Sequence, residues 1–339
     1  MRQVFITKAG PPEVLQVRES PDPVAGPGEV RVRVKAAGIN FADLMARLGI
    51  YPDAPKIPCV VGYEVSGIVD QIGPDTAGFT VGDRIFGMTR FGGYSDTVVI
   101  PAERVFRMPE KMTFEEGAAL PVVYLTAHHM LLFTGNLRPG MKVLLHSAAG
   151  GVGLAAIDLL VAHGCEIIGT ASPGKHQFLK DRGVQHCIDS TGDVYGAVRA
   201  LLGGDGKVDL ICDPIGGVEW GKNYKLLGPG GRLVCFGASN MAGDGKRRSL
   251  WSILKFVLGI KWWNPIQLMT ANKTVTGVNM YQMFDHIRLV RPQFEALVRL
   301  YEAGQIHPFV DKTFPFAEAS AAHHYLHDRK ARGKLLLVP

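Results

Sequence analysis

"LLHSAAGGVGLAAIDLL", residues 144–160, is the stretch that decides the fold of this chain. An apolar run ends at His146, small residues follow, and apolar residues then return at helical spacing. This order predicts a buried strand, a tight turn and a helix whose first amides face a phosphate. The dinucleotide motif G-x-G-x-x-G finds its second and third glycines at Gly150 and Gly153, while Ala148 replaces the first.

The glycines of such a loop have separate tasks. One allows the tight turn, one lets the backbone approach the pyrophosphate, and one lets the helix pack on the strand. Gly150 and Gly153 keep the last two tasks, and an alanine is acceptable at position 148 if its φ is negative. A glycine-rich loop alone also suits a plain connection between two packed elements. Its position between a strand and a helix favours a cofactor loop. The expected contacts are Ala149, Gly150, Gly151, Val152 and Gly153.

Outside this loop, short apolar segments alternate with longer amphipathic ones from Gly140 to about Gly277. The apolar segments are KVLLHS, CEIIGTAS, HCIDS, VDLICDPIGG, GRLVCFGAS and KTVTGVNM. Strands that alternate with helices are typical of βαβ units. We therefore expect an α/β fold with a doubly wound, six-stranded parallel sheet.

The first 120 residues have a different pattern, in which short β-type runs alternate with turn residues. Thr113 and Glu116 form the sequence of a capping box, which marks the change to helix. From about residue 305 the β-type pattern returns and ends in the apolar segment GKLLLVP. We expect a β-rich, barrel-like catalytic domain of residues 1–121 with 305–339, and a dinucleotide-binding domain of residues 122–304. Ligands usually bind in the cleft between two such domains.

Composition narrows the class of protein. The 37 basic and 31 acidic residues give a net charge of +6, too mild and too scattered for a nucleic-acid partner. Five cysteines stand apart from one another, which argues against disulfides and against a cysteine-ligated zinc site. No apolar stretch has the roughly 18 residues of a membrane span, and the first residues predict a strand, not a signal peptide. We therefore expect a cytoplasmic protein.

The end of the second strand bears on the choice of cofactor. In NAD-binding loops an acidic residue about 20 positions on binds the ribose 2′-hydroxyl. Here CEIIGTAS ends without Asp or Glu, and Ser172 and Lys175 follow. A hydroxyl and an ammonium suit a 2′-phosphate, although Lys175 is also compatible with a solvated lysine in a first helical turn. The missing carboxylate favours NADPH.

Longer motifs resemble one family over essentially the whole chain. The motifs, in family order, are AAGINFADLMARLGIYP, VVGYEVSGIVDQIG, VGDRIFGM, GGYSDTVVIP, LTAHHML, HSAAGGVG and GKLLLVP. They resemble the zinc-independent quinone oxidoreductase branch of the medium-chain dehydrogenase/reductase superfamily. Within it, MTFEEGAAL, DPIGG, YKLLGPGGRLVCFGASN and WWNPIQLMTANKTVTGVN are most similar to the vesicle amine transport protein homologues. The resemblance implies a GroES-like barrel domain beside a Rossmann domain.

Zinc-dependent members carry a cysteine and a histidine where this chain has Asn40 and Tyr63. Residues 80–105 also lack the cysteines of a structural zinc lobe. His323 and His327 lie four residues apart on an expected helix, but histidines on a helix surface are the commoner interpretation, so we expect no metal. The resemblance implies hydride transfer from NADPH to a quinone or an α,β-unsaturated carbonyl. It places Asn40, Tyr51 and Tyr63 near the nicotinamide as hydrogen-bond donors to the anion that forms.

The resemblance implies further cofactor contacts at the ends of later strands. These are Thr126, Phe236, Gly237, Ser239, Asn279, Gly333 and Lys334. One departure concerns the adenosine side. Relatives often have a tyrosine after the third strand, where this chain has Ser190.

The segment GDGKRRSLWSILKFVLGIKWWNPIQLM, residues 243–269, is basic at its start and then apolar with tryptophans. It is compatible with a lid over the cleft, a contact in a homodimer, or peripheral binding to an acidic membrane through residues 246–263.

The sequence leaves three hypotheses for the function of the chain. The chain is a quinone or enone reductase with a small-molecule substrate, an NADPH-binding protein that associates with lipid or vesicles with little turnover, or a reductase specific for one biosynthetic intermediate.

Overall fold

The computed structural model describes residues 1–203, 206–242 and 250–339, and of residues 250, 252 and 253 only the backbone. The basic triplet Lys246-Arg247-Arg248 of the segment discussed above lies outside the described residues.

The first third of the chain forms short strands joined by turns. The strands are β1 (Arg2–Ile6), β2 (Leu15–Glu19), β3 (Glu29–Ile39), β4 (Cys59–Val60), β5 (Glu64–Ile72), β6 (Arg84–Met88), β7 (Thr97–Pro101) and β8 (Val105–Arg107). Helix α1 (Phe41–Arg47) follows β3, and α2 (Phe114–Ala119) and α3 (Pro121–His128) follow β8. The expected capping box begins α2, since Thr113 and Glu116 exchange side-chain to backbone hydrogen bonds of 2.9 and 3.1 Å.

The middle of the chain alternates strands and helices. The strands are β9 (Lys142–Leu145), β10 (Glu166–Ala171), β11 (His186–Asp189), β12 (Val208–Asp213), β13 (Leu227–Cys235) and β14 (Thr274–Gly277). The helices are α4 (Gly151–Ala162), α5 (His176–Asp181), α6 (Val194–Leu202), α7 (Val218–Leu226), α8 (Leu250–Leu258), α9 (Pro265–Ala271) and α10 (Ile287–Glu302). The chain then returns to the β-rich part with β15 (Val310–Pro315), α11 (Ala319–His327) and β16 (Lys334–Val338).

Strands β9 to β14 form a six-stranded parallel sheet in the order β11-β10-β9-β12-β13-β14. The six apolar segments identified in the sequence are these six strands, so the prediction of a doubly wound parallel sheet is confirmed. The order in which strands are added to the sheet reverses between β9 and β12, and ligands bind at the carboxyl edge of such a switch point. The loop after β9 lies at that edge.

The β-rich part closes on itself with strands from both ends of the chain. Its larger sheet has the order β15-β16-β3-β5-β6-β8, and β7 pairs with residues 29–33 of β3. Alternation in β3 buries Val30, Val32 and Val34 in the core, as the period-two pattern predicts. The last strand, β16, pairs antiparallel with β3, with Leu335 opposite Ile39. This pairing brings the C-terminal residues beside the first helix.

In the described part of the chain, no helix has the length and apolar character needed to cross a membrane.

Candidate active site

The glycine-rich loop joins β9 to α4. Ser147 has a left-handed φ of 54° at the turn, and Ala148 is not among the described residues with a positive φ. The alanine that replaces the first motif glycine therefore causes no backbone strain. Gly150 precedes the helix, and its start has no side-chain cap. The first amides of α4 are thus open to an acceptor from outside the helix.

Gly153 brings the first turn of α4 against the loop. A Cβ at this position lies 2.4 Å from the carbonyl oxygen of Ala148 and 2.5 Å from that of Ser147, so no larger residue fits. Close packing, free amides and the positive end of the helix dipole together form a cradle that suits a pyrophosphate. The geometry supports the expected roles of Gly150 and Gly153, which remain predictions.

A network of buried polar side chains holds the loop in place. Asn223 donates to Asp213 at 2.7 Å, and its amide oxygen lies 2.8 Å from Nε2 of His146. Nδ1 of His146 lies 3.3 Å from the hydroxyl of Thr170, which also accepts from the Ser147 amide at 3.2 Å. The side chains of this network are at most 2 % exposed. Because each donor meets one acceptor, the network fixes the carboxyl ends of β9, β10 and β12 relative to one another.

Lys175 lies beyond β10 and reaches the C-terminal segment. Its ammonium donates to the carbonyl oxygens of Arg329, at 2.8 Å, and Ala331, at 2.5 Å. Burial lowers the pKa of this lysine. Ser172 precedes it, and the last residues of β10, Thr170 and Ala171, supply no carboxylate. The structure therefore places Ser172 and Lys175 at the expected strand end, with the lysine also tying the two parts of the chain together.

Gly333 joins the cofactor loop to the β-rich part. Its amide donates to the carbonyl oxygen of Ala149 at 2.8 Å, and it forms a parallel bridge with Gly150. Its φ of 83° favours glycine, and a Cβ there lies 2.8 Å from Leu154. The C-terminal strand therefore begins against the start of α4.

The next residue, Lys334, belongs to a buried polar cluster. Its ammonium lies 2.5 Å from the Glu64 carboxylate and donates to the Asn40 amide oxygen at 2.6 Å. The Asn40 Nδ2 group donates to the same Glu64 oxygen at 2.8 Å, and the other Glu64 oxygen accepts from the Val122 amide at 2.6 Å. Val122 is in the first turn of α3, where the helix dipole also favours an anion. These contacts fix which way the Asn40 amide faces, and they leave one N–H of that amide free of these partners.

We did not expect Glu64 in the site from the sequence, although it follows Tyr63 in the segment GYE. A carboxylate within an apolar strand sequence is the signal that was available, since carboxylates are seldom fully buried without a partner.

Asp43 orients the backbone of Asn40. Its carboxylate accepts from the amides of Asn40, at 2.7 Å, and Gly62, at 3.1 Å, and from the Tyr94 hydroxyl at 2.9 Å. Burial raises the pKa of Asp43 to about 7, and the hydrogen bonds from Asn40, Tyr94 and Gly62 oppose that rise. The Tyr94 hydroxyl also lies 3.3 Å from Nε2 of His323.

His323 and His327, the pair considered above as metal ligands, have different surroundings. His323 is fully buried beside Tyr94, and burial lowers its pKa well below the ordinary value. Nδ1 of His327 lies 3.9 Å from Asp328. Across residues 1–203, 206–242 and 250–339, no three side chains of His, Cys, Asp or Glu are arranged to hold a metal ion.

Tyr51 and Tyr63 lie together next to this cluster, with ring centroids 6.4 Å apart. Burial raises the pKa of both hydroxyls, so each stays protonated and able to donate. The Tyr63 hydroxyl is buried, and in the described residues it makes no hydrogen bond of full geometry and interacts with the Tyr51 hydroxyl. Phe91 and Tyr281 complete the aromatic surroundings, and our sequence reasoning named neither.

The remaining expected cofactor contacts lie at the ends of later strands. The Phe236 amide donates to the Asp213 carbonyl oxygen at 3.0 Å, and the Ser239 amide to that of Pro214 at 2.9 Å. Gly237 lies between them, where a Cβ is 2.7 Å from the Pro214 oxygen. Since the carboxyl ends of parallel strands share one edge of the sheet, these residues lie at the same edge as the glycine-rich loop.

Thr126 and Asn279 have internal partners. The buried Thr126 hydroxyl donates to the Val122 carbonyl oxygen at 2.6 Å, within α3. The Asn279 side chain accepts from the Tyr281 amide at 3.1 Å and so caps the turn that carries Tyr281. On the adenosine side, the amide of Ser190 donates to the Ala171 carbonyl oxygen at 2.9 Å. The structure links the glycine-rich loop to the Asn40 cluster through Gly333 and Lys334, and the roles of the predicted residues remain predictions.

Family models match both parts of the chain. Residues 26–110 match the model described as alcohol dehydrogenase GroES-like domain. Residues 182–337 match the model described as zinc-binding dehydrogenase. The expected GroES-like part is therefore confirmed.

Among curated proteins, the chain is 40 % identical to the synaptic vesicle membrane protein VAT-1 homolog of Mus musculus over 332 residues, covering 96 % of this chain and 80 % of the mouse protein. Among solved structures, it is similar to the human synaptic vesicle membrane protein VAT-1 homolog-like protein, with a TM-score of 0.86, 33 % identity and coverage of 100 % and 98 %. It is also similar to Escherichia coli quinone oxidoreductase complexed with NADPH, with a TM-score of 0.87, 29 % identity and coverage of 100 % of both chains.

Replacing Lys334 tests the buried cluster. In Lys334→Met the Glu64 carboxylate stays buried without its cation, so we expect the free energy of unfolding to fall by about 3–5 kcal/mol. Adding Glu64→Gln to that variant removes the orphaned charge and is expected to recover part of the loss. Lys330→Met is the control, because its ion pair with Asp328 is largely exposed. Denaturant unfolding measures all three variants, and a Lys334→Met curve that coincides with the control contradicts the role of the pair.

Proposed function

The chain belongs to the medium-chain dehydrogenase/reductase superfamily, together with the VAT-1 homologues, and on that premise we propose that it transfers hydride from NADPH to a quinone or an α,β-unsaturated carbonyl. The E. coli relative that shares the fold is a quinone oxidoreductase complexed with NADPH, which supports this assignment.

The proposal depends mainly on the link between the phosphate cradle and the hydrogen-bond donors. Gly333 pairs with Gly150 at the start of α4, and the next residue, Lys334, holds Asn40. The start of α4 would hold the pyrophosphate of a dinucleotide, and Asn40 would be available as a donor beside its nicotinamide. Two consecutive residues thus set the distance between cofactor and donors.

The nicotinamide supplies the hydride, and the protein supplies orientation, charge stabilisation and exclusion of water. As the acceptor takes up hydride, negative charge develops on its oxygen. The free N–H of Asn40 and the hydroxyls of Tyr51 and Tyr63 donate to that oxygen. Because burial raises the pKa of both tyrosines, they remain neutral donors, and solvent delivers the final proton.

Selectivity for NADPH over NADH follows from the end of β10. A carboxylate at that position repels a 2′-phosphate, and this chain has none in the residues that end the strand. Ser172 and Lys175 offer a hydroxyl and an ammonium instead. Lys175 would bind a 2′-phosphate by exchanging one of its two carbonyl partners for it.

NADPH oxidation is the direct test. We expect absorbance at the NADPH band to fall with quinones or enones, to fall more slowly with NADH, and to be unaffected by a chelator. Tyr51→Phe removes one donor and is expected to lower kcat about 10²-fold. Tyr325→Phe, whose ring packs on Phe314, is the control. Tight NADPH binding without turnover across a broad acceptor panel leaves the reductase proposal without support. Turnover of a single compound indicates a reductase for one biosynthetic intermediate.

A second candidate function is peripheral association with an acidic membrane by a protein that otherwise resides in the cytoplasm. Of the sixteen large apolar side chains exposed in the described residues, seven lie between positions 251 and 269. Trp251 and Trp262 are 74 % and 79 % exposed. Beside them is a cleft of about 830 Å³, and the described residues that line it include three lysines and no carboxylate. Exposed tryptophans next to lysines suit the interface of an anionic bilayer.

Vesicle flotation tests this candidate. We expect the protein to float with vesicles that contain phosphatidylserine and to remain behind with phosphatidylcholine alone. Replacing Trp251 and Trp262 by Ala removes apolar surface that the membrane would bury. We therefore expect membrane binding to weaken roughly tenfold or more. Phe133→Ala, which removes an exposed aromatic ring elsewhere, is the control. Equal flotation of the tryptophan and control variants argues against the membrane role of this segment.

We also propose a homodimer that forms through β14. In the described residues this strand pairs only with β13, so its outer edge presents free backbone groups. Light scattering is expected to give twice the 36.8 kDa chain mass. Val275→Pro and Thr276→Pro are compared because consecutive amides point to opposite edges of a strand. Proline removes the backbone N–H, so only the variant whose amide faces the outer edge is expected to lose a dimer hydrogen bond and become monomeric. A monomeric wild type refutes the proposal.

A further inference from the structure

Four aromatic rings form a closed circuit of contacts across the cleft, and we call Tyr51, Tyr63, Phe91 and Tyr281 the aromatic box. Neighbouring ring centroids are 6.4 Å apart for Tyr51 and Tyr63, and 5.3 Å for Tyr63 and Phe91. They are 5.6 Å apart for Phe91 and Tyr281, and 6.4 Å for Tyr281 and Tyr51. The Tyr51 pairs are edge-to-face, which is a favourable arrangement for aromatic rings.

Tyr281 is the one member that comes from the other side of the cleft. It lies in the short turn Met280–Met283 after β14, whereas the other three rings belong to the β-rich part. The Asn279 side chain caps this turn at the Tyr281 amide. A small change in the turn therefore moves the Tyr281 ring relative to the three others.

Exposed polar contacts hold Tyr281 in place. The Arg90 guanidinium lies 5.0 Å over the Tyr281 ring, donates to its hydroxyl at 3.1 Å and pairs with Asp285 at 3.0 Å. Gln282, the next residue, donates to Asp53 at 3.2 Å. The side chains of Arg90 and Asp285 are 45 % and 53 % exposed. Solvent screens such contacts, so they hold the turn only weakly.

The box also contains an unsatisfied donor. Tyr63 is 4 % exposed, and in the described residues its hydroxyl makes no hydrogen bond of full geometry and interacts with the Tyr51 hydroxyl. A buried hydroxyl in an aromatic environment is stabilised when a ligand oxygen reaches it. The box therefore combines flat apolar walls with a donor for one oxygen atom.

We propose that Tyr281 is a specificity-determining residue whose ring occupies the place of the acceptor between Tyr51 and Phe91, and that it moves out when a flat conjugated ring bearing a carbonyl oxygen enters. The incoming ring takes over the contacts of the Tyr281 ring, and its oxygen accepts from Tyr63. Flexible aliphatic enones replace those contacts less well. This inference depends on the proposed reductase function for its turnover measurements, but its binding measurement is independent of that function.

Acceptor kinetics test the exchange of rings. The probes are 1,4-naphthoquinone and 4-phenylbut-3-en-2-one as ring acceptors, and hex-3-en-2-one as a linear one. We expect the wild type to prefer the ring acceptors in kcat/KM. Tyr281→Ala removes the competing ring, so KM for the ring acceptors falls. Arg90→Met loosens the turn and is expected to lower that KM about two- to fivefold. Arg107→Met is the matched control, because this exposed arginine also covers an aromatic ring and pairs with an aspartate.

A binding measurement separates this inference from the reductase proposal. 1-Naphthol has a flat ring and one oxygen but cannot accept hydride, and its Kd is measured by calorimetry with NADP⁺ present. Tyr281→Ala is expected to bind 1-naphthol more tightly than the wild type. Tyr281→Phe keeps the ring and loses the Arg90 hydrogen bond, so its Kd is expected to lie between those two values. An unchanged or raised Kd in Tyr281→Ala makes Tyr281 a fixed wall and overturns the inference. If Tyr281→Ala binds 1-naphthol more tightly but no acceptor is reduced, the result contradicts the reductase proposal and leaves this inference standing.

Discussion

The ion pair between Lys334 and Glu64 constrains the rest of the site. Both side chains are almost completely buried, and charges out of water are tolerated only when each has close partners. Asn40 and the Val122 amide supply the remaining contacts. The pair therefore fixes the mutual position of β16, β5, α1 and α3. A displacement of any one of these elements leaves a charge or a donor without a partner inside the protein.

From this constraint the geometry of the cleft follows. Gly333 bonds to the cofactor loop, and Lys334, one residue later, holds the Asn40 amide that we propose as a donor to the acceptor. Asp43 fixes the backbone of the same asparagine from the opposite side. The aromatic residues lie next to this rigid centre, and the one from the α/β part, Tyr281, has its polar contacts at the exposed surface. In the proposed reaction, rigid parts thus determine where hydride moves, and a looser part determines which acceptor enters.

Local signals in the sequence predicted the elements and the loop, because strand period, helix period and glycine spacing are properties of neighbouring residues. They predicted Gly150 and Gly153 at the start of α4, and the structure shows why the third glycine has no substitute. They did not reveal that Glu64 pairs with Lys334 or that Tyr281 meets Phe91. Those contacts join segments far apart in the chain, and the local periodicity of a sequence does not predict such contacts. Lys175 shows the same limit, since its residue type suggests a phosphate ligand but not its bonds to Arg329 and Ala331.

The pairing of β16 with β3, described above as part of the larger sheet, has a consequence for folding. Leu335 meets Ile39 only after nearly the whole chain has been brought into a loop, whereas β9, β10 and β11 pair with sequence neighbours. Contacts between distant segments form more slowly than local ones. The α/β part is therefore expected to present its dinucleotide cradle before the β-rich part has its last strand. A nucleotide that binds early then favours the completed fold by mass action, and so acts as a folding ligand.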